Sequence, residues 1–170
     1  ISAEAQAVGA VNTIKITTKG QTIGYNTDVF GFEQSLRPLV KKQHSYALIL
    51  GTGGAAKAVQ YVLTELGISY TLVSRTKKVG AIRYDDVNEA VLQQHLLVVN
   101  TTPLGMYPAI DTCPNLPYQF INEQHLFVDL VYNPALTLFL AKAKAQGATV
   151  KNGLEMLQLQ AERAWEIWHC

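Results

Sequence analysis

The residues best placed to do chemistry are Gly51-Thr52-Gly53-Gly54-Ala55-Ala56, between the apolar run 46–50 (YALIL) and a segment with helical spacing. In such a strand–turn–helix unit the first glycine makes a tight turn and the second lets backbone approach a pyrophosphate. The anion then rests on the free N–H groups at the helix start. The spacing departs from G-x-G-x-x-G, because Ala56 stands at the third glycine's place; alanine is still small enough to keep helix and sheet close. A glycine-rich loop can also be purely structural, so the flanking strand and helix carry the argument. The next strand ends in Ser74-Arg75-Thr76-Lys77-Lys78. A unit choosing NAD carries Asp or Glu here for the ribose 2′-hydroxyl, about twenty residues on. A guanidinium flanked by hydroxyls suits a 2′-phosphate instead, through paired charged hydrogen bonds. The expected cofactor is NADP.

Other polar residues fall at junctions. Asn100-Thr101-Thr102-Pro103-Leu104-Gly105-Met106 leaves a strand at the edge where open α/β sheets bind ligands, so Asn100, Thr101 and Thr102 are candidates for ribose or nicotinamide. Asn12 interrupts an apolar run, Asn26-Thr27-Asp28 opens a helix, Tyr132-Asn133-Pro134 follows a strand, and Gln158 and Gln160 lie on the last helix. Asp28 or Thr27 also serves as a helix cap by position. The four histidines, His44, His95, His125 and His169, lack metal-ligand spacing, and no Ser-His-Asp arrangement stands out, so no metal is expected.

These residues must be held by the elements around them. Strands are expected at 11–17, 22–25, 46–50, 69–73, 81–84, 96–100, 126–131 and 149–151, and helices from Asp28 to about 39, then at 55–66, 87–94, 135–146 and 153–168. Apolar strands alternating with helices predict a parallel sheet covered on both faces, an α/β Rossmann-like doubly wound fold. The first hairpin and the last helix stand outside that scheme. With 170 residues, 48% hydrophobic and 16% charged, the chain has material for one compact core and is not disordered. Its net charge of +1 without a basic block gives no sign of nucleic acid, and no apolar run suits a membrane helix. Two distant cysteines, Cys113 and Cys170, fit a reducing cytoplasm.

The chain resembles the shikimate dehydrogenases over nearly its whole length. The resemblance is carried, in order, by Gly9-Ala10-Val11-Asn12-Thr13, Gly24-Tyr25-Asn26-Thr27-Asp28, the Gly51–Ala55 loop, Ser74-Arg75-Thr76 and the Asn100–Met106 stretch. Asp129-Leu130-Val131-Tyr132-Asn133-Pro134 and the run from Gly153 to Gln160 complete it. It implies NADP-dependent reduction of 3-dehydroshikimate to shikimate, in a cleft between a substrate domain and an NADP domain. The family's substrate-binding residues fall on Asn12, Asp28, Tyr132 and Gln160, with Asp28 also catalytic. Its cofactor residues fall on Gly51, Thr52, Gly53, Gly54, Ala55, Ser74, Arg75 and Thr76, and Leu130 and Gly153 match positions near the nicotinamide. A further family Arg is replaced by Val79, with Lys78 beside it as a substitute cation.

The family's catalytic lysine and carboxylate-binding serines precede the Asn12 motif, and no lysine here matches them. The expected division is therefore 1–28 as the end of a substrate-binding domain, 29–152 as the NADP-binding domain, and 153–170 as a helix returning toward the former. Such a chain is expected to bind NADP yet turn over poorly, and to form a homodimer through apolar surface on 1–11 and around Trp165 and Trp168. The alternatives are a quinate/shikimate dehydrogenase using NAD, against which Arg75 argues, and a non-catalytic NADP-binding module.

Overall fold

The computed structural model describes residues 1–169; Cys170 lies outside them. The order is α1 (Ala3–Val8), β1 (Thr13–Ile16), β2 (Thr22–Tyr25), α2 (Asp28–Leu36), β3 (Tyr46–Leu50), α3 (Gly54–Glu65), β4 (Ser69–Ser74) and β5 (Ala81–Arg83). There follow α4 (Glu89–Gln94), β6 (Leu97–Asn100), β7 (Leu126–Asp129), α5 (Leu138–Ala145), β8 (Thr149–Lys151) and α6 (Leu154–His169).

Strands β3 to β8 form one parallel sheet in the order β5-β4-β3-β6-β7-β8, while β1 and β2 make a separate antiparallel hairpin. The chain winds outward from β3 in one direction, returns, and winds outward from β6 in the other. The reversal between β3 and β6 leaves a crevice beyond their carboxyl ends, where such sheets bind ligands. Strands β3, β6 and β7 are buried almost throughout because helices cover both faces. On one face, Ile49, Val99 and Val128 pack with Val59 and Val62 of α3 and Phe32 and Leu36 of α2. On the other, Leu48, Val98 and Phe127 meet Leu92, Phe139 and Leu140.

Two differences from the sequence expectations have local causes. Helix α1 lies where the sequence suggests only an amphipathic start; Ser2 caps it by accepting from Ala5 N (3.1 Å), and Gly9 ends it in the left-handed region at φ +68°. The helix from Asp28 is capped by neither expected residue. Asp28 is its first helical residue and Thr27 makes no capping bond; instead Asn26 Oδ1 accepts from Val29 N (3.3 Å). On α6 the surface around Trp165 and Trp168 faces outward, as the sequence leads one to expect. Met156 and Ala164 are buried, whereas Leu154, Leu157, Trp165 and Trp168 are exposed, Trp165 at 63%. Gly31 on α2 sets this rotation, since it lies against Met156 O and Gln160 and draws that side of α6 in.

Candidate functional site at the strand crossover

Gly51 leaves β3 with φ +113°, a conformation favouring glycine, and a Cβ there would lie 2.6 Å from Thr101 Oγ1. The turn can therefore press against the β6 exit only without a side chain. Gly53 then precedes α3 in an extended conformation and offers no side-chain cap. The first bond of the helix runs from Lys57 N to Gly53 O (3.3 Å), so the N–H groups of Gly54, Ala55 and Ala56 have no acceptor within it. A Cβ on Gly53 or Gly54 would meet nothing within 4 Å. Unpaired donors, the positive end of a helix dipole and open space together suit an anion.

A cavity of about 540 Å³ opens on this turn. Its walls include Gly51, Thr52 and Gly53, the β4 exit Ser74-Arg75-Thr76, and Thr101 to Leu104 beyond β6. Among the described residues no carboxylate lines it, and Arg75 supplies its cation. Lys78 reaches back from the same loop to donate from Nζ to Thr52 Oγ1 (3.1 Å), and Val79 is fully exposed. A second cavity, about 410 Å³, shares Thr101, Thr102 and Pro103 with the first and continues to Leu130, Val131, Tyr132 and Asn133. The two cavities meet on that shared loop at the switch point and together form the crossover crevice.

Buried bonds fix that loop. Asp129, at the end of β7, is wholly buried and accepts from Asn100 Nδ2 (2.9 Å), Val131 N (3.0 Å) and Thr137 Oγ1 (2.6 Å). Burial raises its pKa to about 6 against the opposing pull of these donors. With Nδ2 committed to Asp129, Asn100 turns Oδ1 to Thr102 N (3.0 Å) and Thr102 Oγ1 (2.7 Å). Thr101 Oγ1 donates to Leu50 O (2.7 Å). Asn100 thus stands behind the crevice and holds Thr102, and it lines neither cavity. Gly153 likewise lines neither cavity but lies behind Leu130, a wall of the second: a Cβ on it would come within 2.1 Å of Leu130 O, so it serves the close approach of α6 to the β7 exit.

Of the four proposed substrate residues, three meet. Asn12 precedes β1, Asp28 starts α2 and Gln160 lies on the face of α6 packed against α2. Thr27 joins them, donating from N to Asn12 Oδ1 (2.9 Å) and from Oγ1 to Gln160 Oε1 (3.0 Å). Burial raises the pKa of Asp28, and a hydrogen bond from Asn12 opposes that rise. Tyr132 stands apart from this group on the wall of the second cavity, 46% exposed. Three contributors escape the sequence reading. Asp129 enters it only as part of a motif, although a carboxylate ending an apolar strand is a visible signal. Tyr84, from the short turn after β5, lines the first cavity with a buried Oη lacking a partner. Thr27, wholly buried, makes no capping bond and instead joins Asn12 to Gln160.

Six parallel strands in this order, with a glycine turn and a free helix N-terminus at the crossover, define a Rossmann-like α/β unit. No protein-family model matches the chain. A shikimate dehydrogenase (NADP(+)) from Clostridium beijerinckii is 40% identical over 176 residues, covering 99% of this chain and 64% of its own. The shikimate 5-dehydrogenase of Thermus thermophilus, crystallised with NADP(H) and shikimate, superimposes with a TM-score of 0.84 at 35% identity, covering 98% of this chain and 65% of its own. A quinate dehydrogenase from Corynebacterium glutamicum, crystallised with NAD, gives a TM-score of 0.85 at 28% identity, covering 98% and 64%. Over nearly its whole length the chain is similar to the shikimate dehydrogenases. It spans 63–65% of the length of the first curated relatives it matches.

Proposed function

We propose that the crevice holds NADP(H), with the pyrophosphate on the α3 N-terminus and the 2′-phosphate against Ser74, Arg75 and Thr76. The nicotinamide end then extends past Thr101 and Thr102 into the cavity walled by Leu130 and Tyr132. The observation that carries this reading is the first cavity's lining: the glycine turn that leads into the α3 N-terminus, Arg75 from the β4 exit, and no carboxylate among the described residues. Lys78, held near the turn by Thr52, adds a second cation where Val79 cannot. The NAD-using quinate enzyme is the second reading; Arg75 at the β4 exit weighs against it.

Within a protein of the relatives' full length, this chain would serve the reduction of 3-dehydroshikimate to shikimate. The bound cofactor would supply the hydride. Asn12, Asp28 and Gln160 would hold the substrate's hydroxyl groups, and Tyr132 would close the nicotinamide side. Asp28, whose raised pKa brings its proton exchange nearer neutrality, would share the proton that reaches the developing alkoxide. In this reading residues 1–28 belong to the substrate side, 29–152 to the cofactor side, and 153–170 return to the substrate side. Tested by themselves, these 170 residues hold no lysine that matches the family's catalytic lysine, and on this reading they bind cofactor with little turnover.

Two assays on the chain test this. Nicotinamide fluorescence should saturate on titration with NADPH, while NADP⁺ with shikimate should give little absorbance change at 340 nm. Absence of saturable NADPH binding would overturn the cofactor reading. Turnover at the rate of a whole relative would overturn the view that the catalytic set is incomplete.

A further inference from the structure

The group around Asn12 and Gln160 has a hydrogen-bond logic centred on a residue without an assigned role. Thr27 is wholly buried between the hairpin, α2 and α6. Its backbone N–H can only donate, and the atom of Asn12 that faces it at 2.9 Å is therefore the oxygen Oδ1. Thr13 Oγ1 donates to the same Oδ1 (3.1 Å). Two donors already occupy that oxygen, and Thr27 Oγ1 lies farther from it (3.3 Å) than from Gln160 Oε1 (3.0 Å). The single hydroxyl proton of Thr27 accordingly goes to Gln160. Both amides are then locked oxygen-inward, and their amino groups remain as donors. That of Asn12 reaches the Asp28 carboxylate.

We infer that Thr27 is a positioning residue. Its N–H and hydroxyl proton fix the amides of Asn12 and Gln160 so that two amino groups and the Asp28 carboxylate are presented together to a hydroxylated ring. Donors and an acceptor in one group match a compound bearing neighbouring hydroxyls, each of which both gives and takes a hydrogen bond. An amide free to rotate would present an oxygen half the time and repel a hydroxyl lone pair. That a polyol occupies the place rests on the function proposed above; the locking of the amides does not.

The two amides are held differently, and this makes the inference testable. Thr27→Val keeps the backbone N–H and the shape but removes the hydroxyl, so it should release Gln160 and leave Asn12 locked. Thr27→Ser keeps the proton and should restore Gln160. Side-chain ¹⁵N relaxation of both amides in the whole chain reads this directly. The expected result is a rigid Gln160 amide in the parent and in Thr27→Ser, a mobile one in Thr27→Val, and a rigid Asn12 in all three. If Thr27→Val does not fold, Thr27→Ala removes the same proton without a clash and gives the same contrast. A Gln160 amide as rigid without the hydroxyl as with it would overturn the inference, because space-filling alone would then hold it. Where the parent binds shikimate, Thr27→Val should weaken it about five- to tenfold, and NADPH affinity should not change. A parent that binds no shikimate while its Gln160 amide responds as described would remove the ligand assignment and leave the positioning role standing.

Discussion

Replacing Gly31 by alanine tests whether the α2–α6 contact governs the substrate-side group. In a helix interior, glycine to alanine ordinarily stabilises by roughly 0.5–1 kcal/mol, since alanine loses less backbone freedom on folding. At Gly31 the added Cβ would lie 2.5 Å from Met156 O and 3.0 Å from the Gln160 Cβ, where ordinary contact begins at 3.4 Å. The obstacle is helix backbone, so the two helices must part by about 0.9 Å along that line. Overpacking of this kind costs about 1–3 kcal/mol. The same movement stretches the Thr27 Oγ1 to Gln160 Oε1 bond beyond hydrogen-bonding range from its present 3.0 Å. Losing a buried hydrogen bond adds about 1 kcal/mol. Set against the propensity gain, the net loss is about 2 kcal/mol. With a urea slope of about 1–3 kcal/mol per molar, the unfolding midpoint should fall by about 1 M. Gly54→Ala is the control: its Cβ meets nothing within 4 Å, and its stability should stay within about 0.5 kcal/mol of the parent. A Gly31→Ala protein as stable as the parent, or more so, would refute the packing argument.

Further outcomes follow from the same structure. Gly51→Ala, strained at φ +113° and 2.6 Å from Thr101 Oγ1, should weaken NADPH binding by more than about tenfold in a fluorescence titration; unchanged affinity would contradict the turn's proposed role. Burial lowers the pKa of His44 and His125, so they contribute stability that is full above about pH 6.5, their unfolded value, and lost as pH falls through the depressed folded values. Asp129 acts in the opposite sense, for its pKa of about 6 against 3.8 makes the ionised form costly above pH 6, by about 3 kcal/mol, a cost that disappears toward pH 4. In a His44→Gln/His125→Gln variant the urea midpoint should therefore rise between pH 7 and pH 5, and a continued fall would contradict this assignment.

The sheet was legible because its strands differ so sharply from their surroundings. Runs such as YALIL and LVVN are apolar on both faces, and only a strand covered on both sides wants that. The glycine turn and the Arg75 cluster were legible because their positions, at the ends of the first two sheet strands, carry meaning without side-chain detail. Pairwise geometry was not legible. Which side of α6 packs inward could not be read from its residue types; the contact at Gly31, 125 positions before Met156, turns Met156 and Gln160 toward α2. Asn100 read as a ligand because it is polar at a strand end, yet Asp129 claims its amide and turns it into support for Thr102. Thr27 read as a cap because threonine before an acidic residue usually caps, whereas Asn26 takes that bond and frees Thr27 to join three segments.

On this proposal the crossover crevice binds a dinucleotide through a 2′-phosphate held by Arg75. Its most direct test is the ratio of NADPH to NADH affinity, measured by calorimetry in the parent chain and in Arg75→Ala. The parent should favour NADPH by at least about tenfold, or about 1.4 kcal/mol. Arg75→Ala should bring the ratio close to one through loss of NADPH affinity, with NADH binding nearly unchanged. Equal affinities in the parent, or a preference that survives removal of the guanidinium, would contradict the claim.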